Sequence, residues 1–242
     1  MNYYLKKYKP SIYANGNTLP LYRGVLHQCI SIIMPILIIF YYKKLSENWS
    51  ILIFLNGKLF SYSISAILHT GFSRKKQSHN LCLLLDKIGV YISVFVTGIP
   101  FMQYDNHFKN QSEIQLYDLK SDILIYYSVN SIILICGINY LIIGYEKMRI
   151  YFFIIQFIFD IRFIGYQVDW NILWVMGLIS YGSCFIVFLP CILTSSNDHT
   201  SDKYLLVKWH KKGYYGCHED FHLLLLLSDI IFFINAMQYV NK

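Results

Sequence analysis

The sequence is poor in charged residues, since Asp, Glu, Lys and Arg make up only 14% of its 242 positions. Hydrophobic residues make up 55%, and the mean hydropathy is +0.40. A water-soluble domain of this size needs more polar surface than this composition provides. We therefore exclude a single soluble domain and expect an integral, multi-pass membrane protein.

The sequence also shows neither paired cysteines nor the pattern of a cleavable signal peptide. The six cysteines are scattered, mostly within apolar runs, and none forms a Cys-x-x-Cys pair, so we expect buried free thiols. The first 24 residues hold no continuous apolar run before a small-residue cleavage site. We therefore predict no cleavable signal peptide.

The positive charge is distributed as short clusters between apolar runs. The net charge is +7, but this spacing favours loops facing an anionic cytosolic leaflet over a surface that binds nucleic acid. Alternate loops carry 13 Lys and Arg on one side and 5 on the other. The positive-inside rule then predicts a cytosolic N-terminus and, with an odd number of spans, a C-terminus outside.

Long apolar runs define the predicted architecture. Each run is close to the roughly 20 residues that a helix needs to cross a bilayer. We predict an all-α fold, with a cytosolic segment at 1–24 and a bundle of seven transmembrane helices at 25–240. The predicted spans are 25–42, 50–69, 84–104, 122–145, 149–166, 171–193 and 217–239.

A metal-binding pattern stands at the head of the last apolar run. His218 and His222 are four residues apart, so on a helix both imidazoles project from one face and can reach one Zn²⁺. The predicted topology brings His69, at the end of span two, and Asp86, at the start of span three, to the same cytosolic depth. Three imidazoles and an open position form the ligand set of a hydrolytic zinc site, in which Asp86 would hold or deprotonate the water.

Other interpretations of these residues stay open. His69 can be an ordinary helix-end residue, and Asp86 a charge favoured by the helix dipole. His218-Glu219-x-x-His222 also matches the His-Glu-x-x-His pattern of metalloproteases, in which Glu219 would be the general base. In that interpretation Asp86 has only a secondary role, and His69 has no role in the site.

Several motifs together resemble the progestin and adipoQ receptor family, whose microbial branch is called hemolysin III. The segment 22–27, Tyr-Arg-Gly-Val-Leu-His, is similar to the first-helix entry of the hemolysin III branch. The other motifs are Ser65-x-x-x-His69, Asp86-x-x-Gly89 and His218-x-x-Phe221-His222.

The resemblance implies a zinc ion held by His69, His218 and His222 at the cytosolic side of a seven-helix bundle. It also implies that Asp86 reaches the ion through water and that Ser65 lies nearby. Relatives are described variously as ceramide-cleaving hydrolases, ligand receptors and pore-forming cytolysins.

We expect a zinc-dependent hydrolase that acts on a lipid amide such as a ceramide. Ser65 would hydrogen-bond the substrate carbonyl or the water, and membrane lipid would be both solvent and substrate. One alternative is a membrane-permeabilising cytolysin with a structural zinc, in which a homo-oligomer forms the pore. The other is a ligand receptor. No nucleic-acid partner is expected.

Two charges within the predicted spans are expected to meet. Lys58 lies 11 residues from His69 in span two, and Asp229 lies 11 residues from His218 in span seven. Eleven residues are close to three helical turns, so each charge shares a face with its own predicted zinc ligand. We predict an ion pair between Lys58 and Asp229. The alternative is that Lys58 snorkels or that Asp229 is neutral.

The remaining polar residues carry weaker expectations. Asp160 and Arg162 are two residues apart and cannot pair directly on a helix, so we expect partners on other helices and a role in helix packing. We expect the other histidines to be solvated. They are His27, His79, His107, His199 and His210.

Overall fold

The described part of the chain is entirely helical. The computed structural model describes residues 24–40, 42, 48–70, 76–102, 113–144, 148–167, 175–183, 186 and 217–240, and no strand occurs among them. The predicted all-α class is confirmed there. In chain order the helices are α1 (Val25–Phe40), α2 (Trp49–His69), α3 (Lys76–Thr97), α4 (Ile99–Met102), α5 (Glu113–Ile143), α6 (Met148–Gln167), α7 (175–183) and α8 (Cys217–Val240).

Four of these helices, α2, α3, α5 and α8, are long and apolar enough to cross a membrane. Helix α1 and the segment Tyr151–Ile161 of α6 are apolar but shorter. Large apolar side chains also face outward, and on α1 Ile39 and Phe40 are 75% and 80% exposed. Such surfaces suit contact with lipid, as expected for a membrane protein. The count of seven spans and the orientation of the termini remain predictions.

Two helices begin earlier than the apolar runs that predict them. Helix α3 begins at Lys76 rather than at 84, and α5 begins at Glu113 rather than at 122. Hydropathy marks the part of a helix that suits hydrocarbon, whereas the backbone hydrogen bonds continue through polar residues beyond it. At its other end, α3 stops at Thr97, and α4 restarts with Pro100 in its first turn, where a missing N–H is tolerated.

Two apolar cores hold the helices together, and α3 and α8 contribute to both. The first core joins α3, α5, α6, α7 and α8 through Tyr91, Val94, Tyr126, Leu141, Phe153, Tyr181, Phe221, Leu225 and Phe232. The second joins α2, α3, α4 and α8 through Ile51, Phe54, Leu55, Val96, Ile99 and Ala236. Helices α3 and α8 therefore link the two cores.

The backbones of α2 and α3 approach closely at Gly89. A Cβ atom added there would lie 3.2 Å from Ser61 Cα. The same face of α3 continues to Ser93 and Thr97. The hydroxyls of both residues accept hydrogen bonds from Lys58 of α2. This contact fixes how the two helices are aligned along their length.

Candidate metal centre

One face of α2 carries four buried polar side chains. Lys58, Tyr62, Ser65 and His69 follow one another at intervals of four, three and four residues, so they form a single row along the helix. Their exposed fractions are 0%, 2%, 4% and 6%. We call this row the α2 polar row. Because buried polar groups are costly without partners, it depends on side chains from neighbouring helices.

The predicted ion pair is present at one end of the α2 polar row. Lys58 Nζ lies 2.6 Å from Asp229 Oδ1 of α8, and both side chains are buried. The ammonium group also donates hydrogen bonds of 2.8 Å to Ser93 Oγ and Thr97 Oγ1 of α3. These partners can satisfy all three ammonium hydrogens. The prediction of a Lys58–Asp229 ion pair is confirmed.

Tyr62 connects the ion pair to a group of histidines. Its hydroxyl donates a hydrogen bond of 2.7 Å to Asp229 Oδ2, and its ring centroid lies 5.3 Å from that of His27 on α1. The two oxygens of Asp229 therefore face different residues of α2, Lys58 and Tyr62. Tyr62 therefore lies between the ion pair, to which it is hydrogen-bonded, and His27, whose ring it neighbours.

Three histidine rings meet at the other end of the α2 polar row. The ring centroids of His69 and His222 are 6.0 Å apart, as are those of His27 and His69. The rings of His27 and His222 are 4.0 Å apart and nearly perpendicular. We call these three residues the histidine cluster. It joins α1, α2 and α8, although its members are far apart in the sequence.

His69 and His222 lie near the separation of two imidazoles on one zinc ion. With a Zn–N distance of 2.0–2.1 Å, two imidazoles on one tetrahedral ion have centroids about 5 Å apart, and the observed distance is 6.0 Å. Among the described side chains, no group of three or more His, Cys, Asp or Glu is arranged to hold a metal ion. The third predicted ligand, His218, is the second residue of α8, but its side chain lies outside the described residues. The three-histidine set therefore stays a prediction.

The two predicted catalytic residues lie along the same stretch of α2 and α3. Ser65 is buried, and its Oγ has no hydrogen-bond partner among the described residues. Asp86 is half-buried and lies one turn before Gly89 on α3. Because Gly89 packs on Ser61 in this antiparallel pair of helices, Asp86 comes to the level of Ser65. Their alignment agrees with a shared site beside His69.

The expectation that His27 and His79 are solvated is wrong. Their exposed fractions are only 2% and 7%. His27 lies one turn after Gly24, whose φ of +85° disfavours any other residue and where a Cβ would come within 2.9 Å of His69 Cβ. This close approach brings His27 to His69. The other three histidines, His107, His199 and His210, lie outside the described residues.

A second buried polar group joins α5 and α6. Asp160 Oδ1 accepts hydrogen bonds from the Tyr126 hydroxyl, at 2.8 Å, and from Gln156 Nε2, at 3.0 Å. Gln156 also donates to Asn130 Oδ1. Asp160 therefore has partners that hold helices together, as expected, whereas the side chain of Arg162 is not among those described. Gln156 could have been found from the sequence, since it lies four residues before Asp160.

Of the residues that the metalloprotease interpretation needs, the structure describes Glu219 but not the side chain of His218. Glu219 is buried in the first turn of α8, where the helix dipole stabilises a carboxylate. The metalloprotease interpretation stays a prediction, because it needs the side chain of His218, which lies outside the described residues. The side chains of three cysteines are described, and all three are free thiols, as expected. The expectation that they are buried is wrong for Cys29, which is exposed, whereas Cys82 and Cys136 are half-buried.

Comparison with known proteins adds no family. No protein-family model matches the sequence, and no curated protein matches it either. The proposed function therefore depends on the residues and on their arrangement.

Proposed function

We propose that this chain is an integral membrane protein of the progestin and adipoQ receptor and hemolysin III type that hydrolyses a lipid amide with a bound zinc ion. Its ligands would be His69, His218 and His222. The observation that carries the proposal is the meeting of His69 and His222, from distant parts of the chain, in a buried polar interior. Imidazole nitrogens favour Zn²⁺ over Mg²⁺ or Ca²⁺.

The zinc ion, when bound, would polarise the substrate carbonyl and activate a water molecule. The chain supplies the remaining functions. Ser65 lies one turn before His69 with its hydroxyl available to donate a hydrogen bond to the substrate carbonyl or the water. Asp86, at the level of Ser65, would accept a proton from the water. The ion pair of Lys58 and Asp229 lies beyond Tyr62 on the same polar face of α2, and both of its side chains are buried.

Hydrolysis and membrane leakage can be compared in the same preparation. The protein is purified in detergent, its zinc content is measured, and two assays are run: release of fatty acid from a short-chain ceramide and dye leakage from liposomes. We expect release by the wild type, and loss of at least 100-fold in Asp86→Ala with zinc retained. Lys87→Ala, which changes the adjacent half-buried residue, should keep its activity.

Dye leakage from liposomes without hydrolysis would contradict the proposal. If the zinc-loaded wild type permeabilises liposomes but releases no fatty acid, the hydrolase proposal fails and a cytolysin with a structural zinc replaces it. If no zinc copurifies and none binds on addition, the metal centre itself is refuted.

A further inference from the structure

His27 is a buried residue that the proposed hydrolase does not yet use. Its ring is 2% exposed, and neither Nδ1 nor Nε2 has a hydrogen-bond partner among the described residues. A neutral imidazole offers one donor and one acceptor. A buried polar group that lacks a partner lowers stability, and it marks a place where a ligand can supply the missing hydrogen bonds.

The zinc site predicted from His69, His218 and His222 does not require His27 as a further ligand. The ring centroids of His27 and His222 are 4.0 Å apart, and the ring planes lie at 84°. His27 therefore packs against His222 edge to face. A fourth protein nitrogen would also close the site, whereas a hydrolytic zinc site keeps one position open.

The ring of His27 is held in place from several sides. Besides His222, it neighbours His69 and Tyr62, whose ring centroids lie 6.0 and 5.3 Å from its own. The backbone one turn earlier is fixed by the close approach of Gly24 to His69. A side chain with so little freedom loses little entropy when a ligand binds to it.

Ser65 lies between Tyr62 and His69 in the α2 polar row, and the rings of these two residues are the ones of α2 that neighbour His27. The Oγ of Ser65 likewise has no partner within the described part of the chain. Two buried side chains therefore present three unused polar atoms at one site. A ligand that matches them must carry both donors and acceptors on a small polar group attached to an apolar body.

We propose that His27 is a substrate-binding residue whose imidazole hydrogen-bonds the polar headgroup of a lipid amide. An amide with neighbouring hydroxyls has the N–H and O–H donors and the carbonyl acceptor that His27 and Ser65 can satisfy. This inference rests on the proposed function and adds a recognition residue to it. His27 binds the headgroup, and the metal ligands remain those already named.

The test measures binding separately from metal content. The probe is radiolabelled N-octanoyl-sphingosine in detergent micelles, and Asp86→Ala is the background because it should prevent turnover. His27→Leu removes both nitrogens at similar volume, and we expect its Kd for the probe to rise about tenfold or more. Zinc content should stay at the level of the background. His79→Leu, at a buried histidine outside the histidine cluster, should not change the Kd.

Two further variants keep the result interpretable. His27→Gln retains a donor and an acceptor and should recover part of the lost affinity. His27→Phe keeps a flat ring against His222 and replaces His27→Leu if the latter fails to fold.

Unchanged binding by a folded His27→Leu or His27→Phe protein would overturn the inference alone. Loss of zinc together with binding would overturn it by making His27 a metal ligand, with the hydrolase proposal intact. A zinc-loaded Asp86→Ala protein that binds no probe at all would refute the lipid-amide substrate, and the inference with it.

Discussion

Lys58 of α2 and Asp229 of α8 form a buried ion pair, with 2.6 Å between Nζ and Oδ1. The pair joins a helix from the first third of the chain to the last described helix. Tyr62, Ser93 and Thr97 complete its hydrogen bonds. In an apolar interior these contacts determine which faces of α2, α3 and α8 meet, because a lone charge there is costly.

Removal of one charge from this pair should be more damaging than removal of both. We expect Lys58→Met and Asp229→Leu each to reduce stability by about 3 to 5 kcal/mol, because the remaining charge stays buried. The double variant should recover much of this loss. Unfolding in detergent, analysed as a double-mutant cycle, measures the coupling, and Lys87→Met is the control for a half-buried lysine. Additive losses would show that the pair contributes nothing.

Metal binding should depend on His69 and His222 and not on buried histidine in general. We expect His69→Ala and His222→Ala each to lower the zinc content from about one ion per chain to near zero, since a site with two remaining imidazoles binds weakly. His79→Ala should keep its zinc. Elemental analysis after loading and gel filtration measures the content. Full occupancy in either cluster variant would remove that residue from the ligand set.

The close approach at Gly24 can be tested against a glycine without neighbours. Gly24 and Gly144 both have positive φ, but a Cβ at Gly144 would meet nothing within 4 Å. Gly144→Ala should therefore show only the backbone strain, about 1 kcal/mol. Gly24→Ala should lose more stability and also weaken zinc binding, because the added Cβ pushes His69 away from its place. Equal effects in stability and zinc affinity would contradict the role assigned to Gly24.

The group around Asp160 should stabilise the pairing of α5 and α6 without a part in catalysis. Asp160→Ala leaves the donors of Tyr126 and Gln156 without their acceptor, and we expect a loss of about 2 to 4 kcal/mol. Asp160→Asn keeps an acceptor oxygen and should lose less. Thermal unfolding measures both, and ceramide hydrolysis per folded protein should be unchanged. A selective loss of hydrolysis would assign Asp160 to the reaction.

Helical periodicity was enough to predict the ion pair. Lys58 and Asp229 each lie three turns from a predicted zinc ligand, so the expected meeting of the ligands also brought the charges together. Hydropathy likewise located the apolar core of each helix. It did not locate the start of α3 at Lys76, because backbone hydrogen bonds continue where the sequence turns polar.

The role of His27 could not be predicted in the same way. A single histidine at the start of an apolar run has no periodic partner in its own helix. Its burial depends on the contact between Gly24 and His69, which joins two helices and has no signature in either one alone. The hydrogen bond from Tyr126 to Asp160 could not be predicted either, because the two residues lie on different helices.

The ion pair also constrains how the chain is made. Lys58 is synthesised early, whereas Asp229 follows only with α8, so the ion pair forms only after the last described helix has been made. A chain that stops before α8 keeps Lys58 without the carboxylate with which it forms its ion pair. Truncated products should therefore be recognised by membrane quality control and degraded.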